Sequence, residues 1–291
     1  MIKNNLWIEV LKMINVGVVS RSFPELTNQE TAQLMHSNGF TVTELCFACK
    51  DSPYWVYNGR SDLSTLTDEK AGEVIQAYTD LGIHIPVIGV FTNLIETEDT
   101  ELEKNIQYFE RHMQIASNHH IPYVATECGF ISGKRGLFAD TFEQTFQRLL
   151  YSFKTLTQIA KKYQVTVVLE PSVIDIVPSA KRAHDFINQI AQDNLKILLD
   201  PANLIANSSE KDMFDYLKDH IAYIHGKDRF VNDARGRCVG DGQINWPEFL
   251  GYYHRYAEGK PFILEYVNRN NFCEIRDRVL KYDLLSGSSI Q

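Results

Sequence analysis

The sequence predicts an α/β protein folded as a single (β/α)8 TIM barrel, and three observations carry that expectation. Short β-branched and aliphatic runs alternate in strict order with longer stretches of helical periodicity, eight of each and with no linker between them. Such alternation implies a parallel sheet under helices, whose strands, buried on both faces, read as continuous apolar runs. Four consecutive runs then end in residues of one chemical kind: Val165–Leu169 in Glu170-Pro171, Leu195–Leu199 in Asp200-Pro201, Ile221–Ile224 in His225, and Pro261–Leu264 in Glu265. An open doubly wound sheet gathers ligands at one switch point, whereas a barrel brings every strand end to one mouth. The length of 291 residues suits eight such units in one domain.

Residues 1–12 are expected as an N-terminal extension, with Met13 an alternative start; the catalytic barrel is expected over 13–285 and a flexible tail over 286–291. Ile14–Ser20 reads as the first strand. Thr27-Asn28-Gln29-Glu30 has the spacing of a capping box and opens a helix that runs to Gly39. Val42–Phe47 is the second strand, followed by a polar loop carrying Tyr54, Trp55 and Tyr57 and a helix from Asp68 to Leu81. The third strand, Ile83–Phe91, leads to a long helix with Leu102, Ile106, Phe109, Met113 and Ala116 on one face. Tyr123–Thr126 is the fourth strand and ends at Glu127; the next helix is expected to be capped by Thr141 with Gln144. Beyond the Glu170 strand come helices near Ser179–Ile190 and Glu210–His220, separated by the Asp200 strand. After the His225 strand, Asn245-Trp246-Pro247-Glu248 starts another helix, with Asn245 as cap and a proline in the first turn. The Glu265 strand and a helix over Glu274–Leu285 close the series.

A net charge of −8 argues against a nucleic-acid partner, which needs a basic face. No apolar stretch approaches the roughly 18 residues of a membrane span, and the first residues lack the apolar core of a signal peptide. Five cysteines in irregular spacing make no disulfide framework, and Cys46-Phe47-Ala48-Cys49 has no second pair to complete a zinc site. The expectation is a cytoplasmic protein with reduced thiols and no membrane partner, with homo-oligomer formation left open.

Two glutamates, one aspartate and one histidine at neighbouring strand ends repel one another unless a cation joins them. A lone carboxylate ending a buried strand is costly, so Glu170 is expected at the mouth, facing water, a cation or a metal. One divalent ion with mostly oxygen ligands resolves the repulsion; Mn²⁺ stands first, with Mg²⁺, Co²⁺ or Zn²⁺ as alternatives.

The segments "VVLEP", "LLDPAN", "IHGKD" and "ILEY", in that order, together with "VGDGQINWPEFL" after the histidine strand, resemble the metal-bearing strand ends of the xylose-isomerase-like superfamily of sugar isomerases and epimerases. The resemblance runs over nearly the whole chain and is densest from Val165 to Val267; within the superfamily it looks closest to ketose 3-epimerases. It implies Glu170, Asp200, His225 and Glu265 as metal ligands, Glu170 and Glu265 as the proton-exchanging pair, and a sugar or sugar phosphate as substrate. Three positions depart from the ketose 3-epimerase pattern: Asn203 replaces a histidine, Val231 an arginine, and Ile176 a glutamate, with Arg229 and Arg235 near enough to substitute for the arginine. Apurinic endonucleases, which are related, need further histidines that Phe91-Thr92-Asn93 and Asn203 do not supply.

Beyond the four ligands, Asn203, Lys227, Arg229, Glu127 and Trp55 are candidate substrate-binding residues. Lys227 reads equally as a salt-bridged strand end, Glu127 as a loop salt bridge, and Trp55 as packing rather than a lid. The expected function is a metal-dependent epimerase or isomerase acting through a metal-stabilised enediolate, with two glutamates as acid and base. A sugar dehydratase of the same superfamily and a non-catalytic sugar-binding barrel are the alternatives.

Overall fold

Eight short parallel strands form the frame of the computed structural model, which describes residues 13–286 apart from 132, 134 and 135. They are β1 (Val16–Val18), β2 (Val42–Leu45), β3 (His84–Gly89), β4 (Tyr123–Glu127), β5 (Thr166–Glu170), β6 (Leu195–Leu199), β7 (Ile221–Gly226) and β8 (Phe262–Leu264). Their order around the sheet is β1-β8-β7-β6-β5-β4-β3-β2, with parallel pairing throughout. The sheet curls until β1 meets β2, and side chains stitch the seam. The Thr43 hydroxyl donates to Val18 O at 2.6 Å, and Cys46 N–H donates to Ser20 Oγ at 2.8 Å. Gly17 permits this approach: a Cβ there would lie 2.4 Å from Val42 O.

The wall is covered by α1 (Asn28–Ser37), α2 (Asp68–Thr79), α3 (Asp99–Asn118), α4 (Phe142–Tyr163), α5 (Ala180–Ile190), α6 (Pro201–Leu204), α7 (Glu210–Leu217), α8 (Trp246–Tyr256) and α9 (Phe272–Ser286). The Thr27 capping box on α1 and the Asn245 cap on α8 form as the spacing predicts. The cap expected from Thr141 does not: its backbone is off the extended cap conformation, and its side chain makes no cap hydrogen bond. The single-turn helix α6, directly after β6, is additional to the eight helices expected. The extension expected over 1–12 lies outside the described residues, as does the tail beyond Ser286, which itself ends α9.

Two apolar layers result. Most of the core lies between strands and helices. A smaller cluster, including Val42, Cys46, Val87, Ala125, Val168, Leu198, Tyr223 and Ile263, fills the barrel itself. Such a packed interior leaves chemistry to the ends of the strands.

Candidate active site and metal centre

Inward-facing residues recur every second position along a strand, and this period builds the site. Val168, Leu198, Tyr223 and Ile263 fill the barrel, and two residues beyond each stand Glu170, Asp200, His225 and Glu265. None of the four is more than 4% exposed, and one donor atom from each lies within 4.8 Å of the others. The structure therefore brings together the four residues singled out from the strand ends. Of the partners expected for Glu170 (water, a cation or a metal), the structure shows a cation: the carboxylate is fully buried, with Lys227 Nζ 3.6 Å from Oε1.

Local structure fixes each donor. Asp200 caps α6, its Oδ1 accepting from Asn203 N–H at 3.2 Å, with Pro201 in the first turn. Asn203 also donates through Nδ2 to Glu170 Oε1 at 2.7 Å. Lys227 reaches into the cluster rather than along the strand end: Nζ donates to Glu265 Oε2 at 2.8 Å and lies 2.9 Å from Asp200 Oδ2. Arg21, in the turn after β1, pairs with Glu265 Oε1. His225 Nε2 lies 2.6 Å from Glu44 Oε2, while its Nδ1 is 3.6 Å from Glu170 Oε1 and 3.7 Å from Glu265 Oε2.

The electrostatics show an excess of buried negative charge. Burial alone disfavours the His225 imidazolium, but Glu44 and Glu170 outweigh it and raise the pKa to about 9. Burial pushes Asp200 up to about 6, with Lys227 opposing and Glu170 adding to the rise. Burial also acts to raise Glu170, but Lys227 and His225 hold it well below the usual carboxylate range. Lys227 is raised above its ordinary value because Asp200 and Glu170 overcome its desolvation. Glu170 Oε2 and His225 Nδ1 are buried without a hydrogen-bond partner. Buried polar atoms are nearly always paired, so three carboxylates and an imidazole with donor atoms within 4.8 Å of one another, Glu170 Oε2 and His225 Nδ1 among them without a partner, fit a divalent ion.

Above the cluster opens a cavity of about 220 Å³. Asn203, Lys227, Arg229, Glu127 and Trp55 all line it. Arg229 is buried and donates to Asn203 Oδ1 at 3.2 Å, leaving Nε and Nη1 without partners. Glu127 stands beside Glu170 in the β4–β5 register and accepts from the Tyr57 hydroxyl at 2.6 Å. Half-buried Trp55 lies with its ring 5.3 Å from the Arg21 guanidinium and 6.1 Å from the Phe91 ring. Arg235 and Val231 are exposed and take no part in the cavity wall. The Cys46 and Cys49 thiols are buried, which raises both pKa values and keeps them unreactive.

Sequence reasoning passed over Arg21, Glu44 and Tyr266. Each carried a signal. Arg21 follows a strand end, Glu44 is the lone charge in Val42-Thr43-Glu44-Leu45-Cys46 at the inward period, and Tyr266 directly follows a proposed ligand. Tyr266 lines the cavity with its ring 5.3 Å from Lys227 Nζ.

Residues 32–284 match the family described as xylose isomerase-like TIM barrel. A probable L-ribulose-5-phosphate 3-epimerase, UlaE, of Mycoplasma pneumoniae is 23% identical over 134 residues, which is 45% of this chain and 43% of that protein. The match thus spans less than half the length of that relative. The crystal structure of a D-tagatose 3-epimerase-like protein superposes with a TM-score of 0.75 at 13% identity, covering 96% of this chain and 100% of the other. That of the 3-keto-D-glucoside 4-epimerase YcjR from E. coli gives 0.73 at 13% identity, covering 92% and 99%. At such identity the likeness establishes the barrel.

Proposed function

We propose that this chain, which belongs to the xylose isomerase-like TIM-barrel family, is a divalent-metal-dependent sugar or sugar-phosphate epimerase or isomerase. The observation that carries the reading is the convergence of Glu170, Asp200, His225 and Glu265, with Glu170 Oε2 and His225 Nδ1 buried and unpartnered. These residues would hold one ion, Mn²⁺ by preference for a site of three carboxylates and one imidazole. Bound there, the ion supplies Lewis-acid stabilisation of negative charge on substrate oxygen.

The chain's own residues supply the rest. Glu170 and Glu265 come from separated strands, β5 and β8; Glu265 lines the cavity, and the two carboxylates share the four-residue cluster. One takes the proton from the carbon beside the substrate carbonyl, and the other returns a proton on the opposite face, inverting that centre. Lys227 steadies the Glu265 carboxylate and offers its charge to oxygen anions that develop on the substrate. Asn203 and Arg229 bind substrate hydroxyls from one side, Glu127 and Trp55 from the other. The enclosed floor keeps water from the intermediate.

The test is a panel of ketoses and ketose phosphates incubated with the Mn²⁺-loaded protein in D₂O and followed by NMR. Deuterium entering beside the carbonyl, with the epimer or isomer accumulating, is the expected result. A product that has lost water would move the assignment to a dehydratase. Sugars that bind without any exchange would leave a binding barrel.

A further inference from the structure

One buried carboxylate has no part in the scheme above. Glu44 sits within β2, fully buried, between Val42 and Cys46, which both belong to the apolar cluster inside the barrel. An ionisable group in such a place is costly unless its surroundings answer it. Here they do. On β3, Gly89 leaves the space that the carboxylate fills, since a Cβ there would lie 2.2 Å from Glu44 Oε1. The Tyr223 hydroxyl donates to Glu44 Oε2 at 2.9 Å, and His225 Nε2 approaches the same oxygen at 2.6 Å. Tyr223 and His225 are two residues apart on β7, so both face inward and meet Glu44 together.

We propose that Glu44 is the positioning residue of the metal centre: it takes the Nε2–H of His225 and so leaves Nδ1 as the ligand atom, aimed between Glu170 and Glu265. The inference rests on the metal reading above. A neutral imidazole carries one proton, and a carboxylate at Nε2 makes that nitrogen the donor. The lone pair then belongs to Nδ1, the atom that faces two carboxylates without a hydrogen bond. A ligating histidine held in this way has its tautomer and ring plane fixed and its basicity raised. Tyr223 keeps the Glu44 carboxylate from turning.

The experiment compares the full-length parent with Glu44→Gln, Glu44→Ala and Tyr223→Phe. Glu44→Gln keeps shape and an acceptor oxygen but loses the charge; Glu44→Ala loses the acceptor. Mn²⁺ affinity is titrated at fixed pH, with thermal unfolding of each metal-free protein as the control for fold. Both Glu44 variants are expected to bind Mn²⁺ about 10- to 100-fold more weakly, with Tyr223→Phe affected less. A second readout needs no variant: in ¹⁵N-histidine-labelled, Zn²⁺-loaded parent, His225 should show Nε2 protonated and Nδ1 metal-bound. Glu44 variants that lose stability but bind Mn²⁺ as tightly as the parent would overturn the proposal and leave Glu44 a packing residue. So would a protonated Nδ1 in the loaded parent. A parent that binds no ion would overturn both this proposal and the metal reading, which separates the two failures.

Discussion

The two halves of the barrel divide the work differently. From β5 to β8, each strand delivers one donor to the cluster at its end: Glu170, Asp200, His225 and Glu265. From β1 to β4, no strand delivers such a donor, yet each contributes to holding or roofing those that do. Arg21 after β1 pairs with Glu265, and Glu44 within β2 contacts His225. Phe91, just past β3, packs on Trp55, and Glu127 ends β4 beside Glu170. The difference lies in what each side chain has left to give. In the second half Glu170 Oε2 and His225 Nδ1 keep no hydrogen-bond partner, although Glu265 is paired by Arg21 and Lys227, whereas the first-half carboxylates accept bonds from Tyr223 and Tyr57. One half is poised to react, and the other restrains it.

The largest test of that division removes the bases and spares the ligands. Glu170→Gln and Glu265→Gln keep an oxygen donor but cannot accept a proton from carbon. Each should bind Mn²⁺ more weakly yet keep substantial metal occupancy at saturating ion, keep sugar affinity, and lose turnover by roughly 10²-fold or more, the scale of general acid–base catalysis. Each also retains one base, so exchange with D₂O should continue on a single face without inversion. Near-parental epimerisation by either metal-loaded variant would pass the chemistry to the first half, with Glu127 the next carboxylate to examine.

The same asymmetry explains what could be read before the structure. The second half was legible because its strands end in a carboxylate or imidazole one after another, and the strand period alone turns all four inward. Leu198 and Ile263 are buried inside the barrel, so Asp200 and Glu265 must follow them to the same side. The first half was harder because its residues act through partners far along the chain. Glu44 and His225 are separated by 181 positions, and Arg21 and Glu265 by 244. A lone Glu in an apolar strand signals that it is paired, but not with what. Helix α6 was missed for a local reason: Asp200-Pro201 looks like a strand terminator until the aspartate is seen to cap the next turn. Thr141 shows the reverse error, a cap spacing whose threonine backbone is not extended.

A middle-sized effect concerns protons in the second-half cluster. In the metal-free protein His225 holds its proton up to about pH 9 and Asp200 up to about pH 6. The ion needs both sites bare, so ion and proton compete, and affinity must rise with pH. Between about pH 6 and 9 one proton leaves for each ion bound, and affinity should change about tenfold per pH unit. Below about pH 6 Asp200 adds a second proton and the dependence steepens; above about pH 9 it levels off. Calorimetric titration of Mn²⁺ in buffers of different ionisation enthalpy counts these protons directly. An affinity flat from pH 6 to 8 would mean that His225 is already neutral, and that the first-half carboxylate Glu44 exerts no pull on it.

The smallest effect sharpens the role of the first-half roof. Trp55 packs edge-on against Phe91 and faces the Arg21 guanidinium, yet its indole Nε1 is buried without a hydrogen-bond partner. Indole N–H groups usually find a partner when buried, and a sugar hydroxyl in the 220 Å³ cavity would provide one. Trp55→Ala should weaken sugar binding by about 1 kcal/mol, roughly fivefold in KM, through lost ring contact. Trp55→Phe should restore the ring contact but not the bond. Mn²⁺ affinity should stay at the parent value in both, because Trp55 is not one of the four cluster residues. Should Mn²⁺ binding fall instead, the ring would be acting through Arg21 on Glu265, and the roof would belong to the restraint of the ion. Unchanged KM and unchanged Mn²⁺ affinity together would return the β2–α2 loop to packing alone. Substrate recognition would then rest on Asn203, Lys227 and Arg229 in the second half, with Glu127 the remaining first-half candidate in the cavity wall.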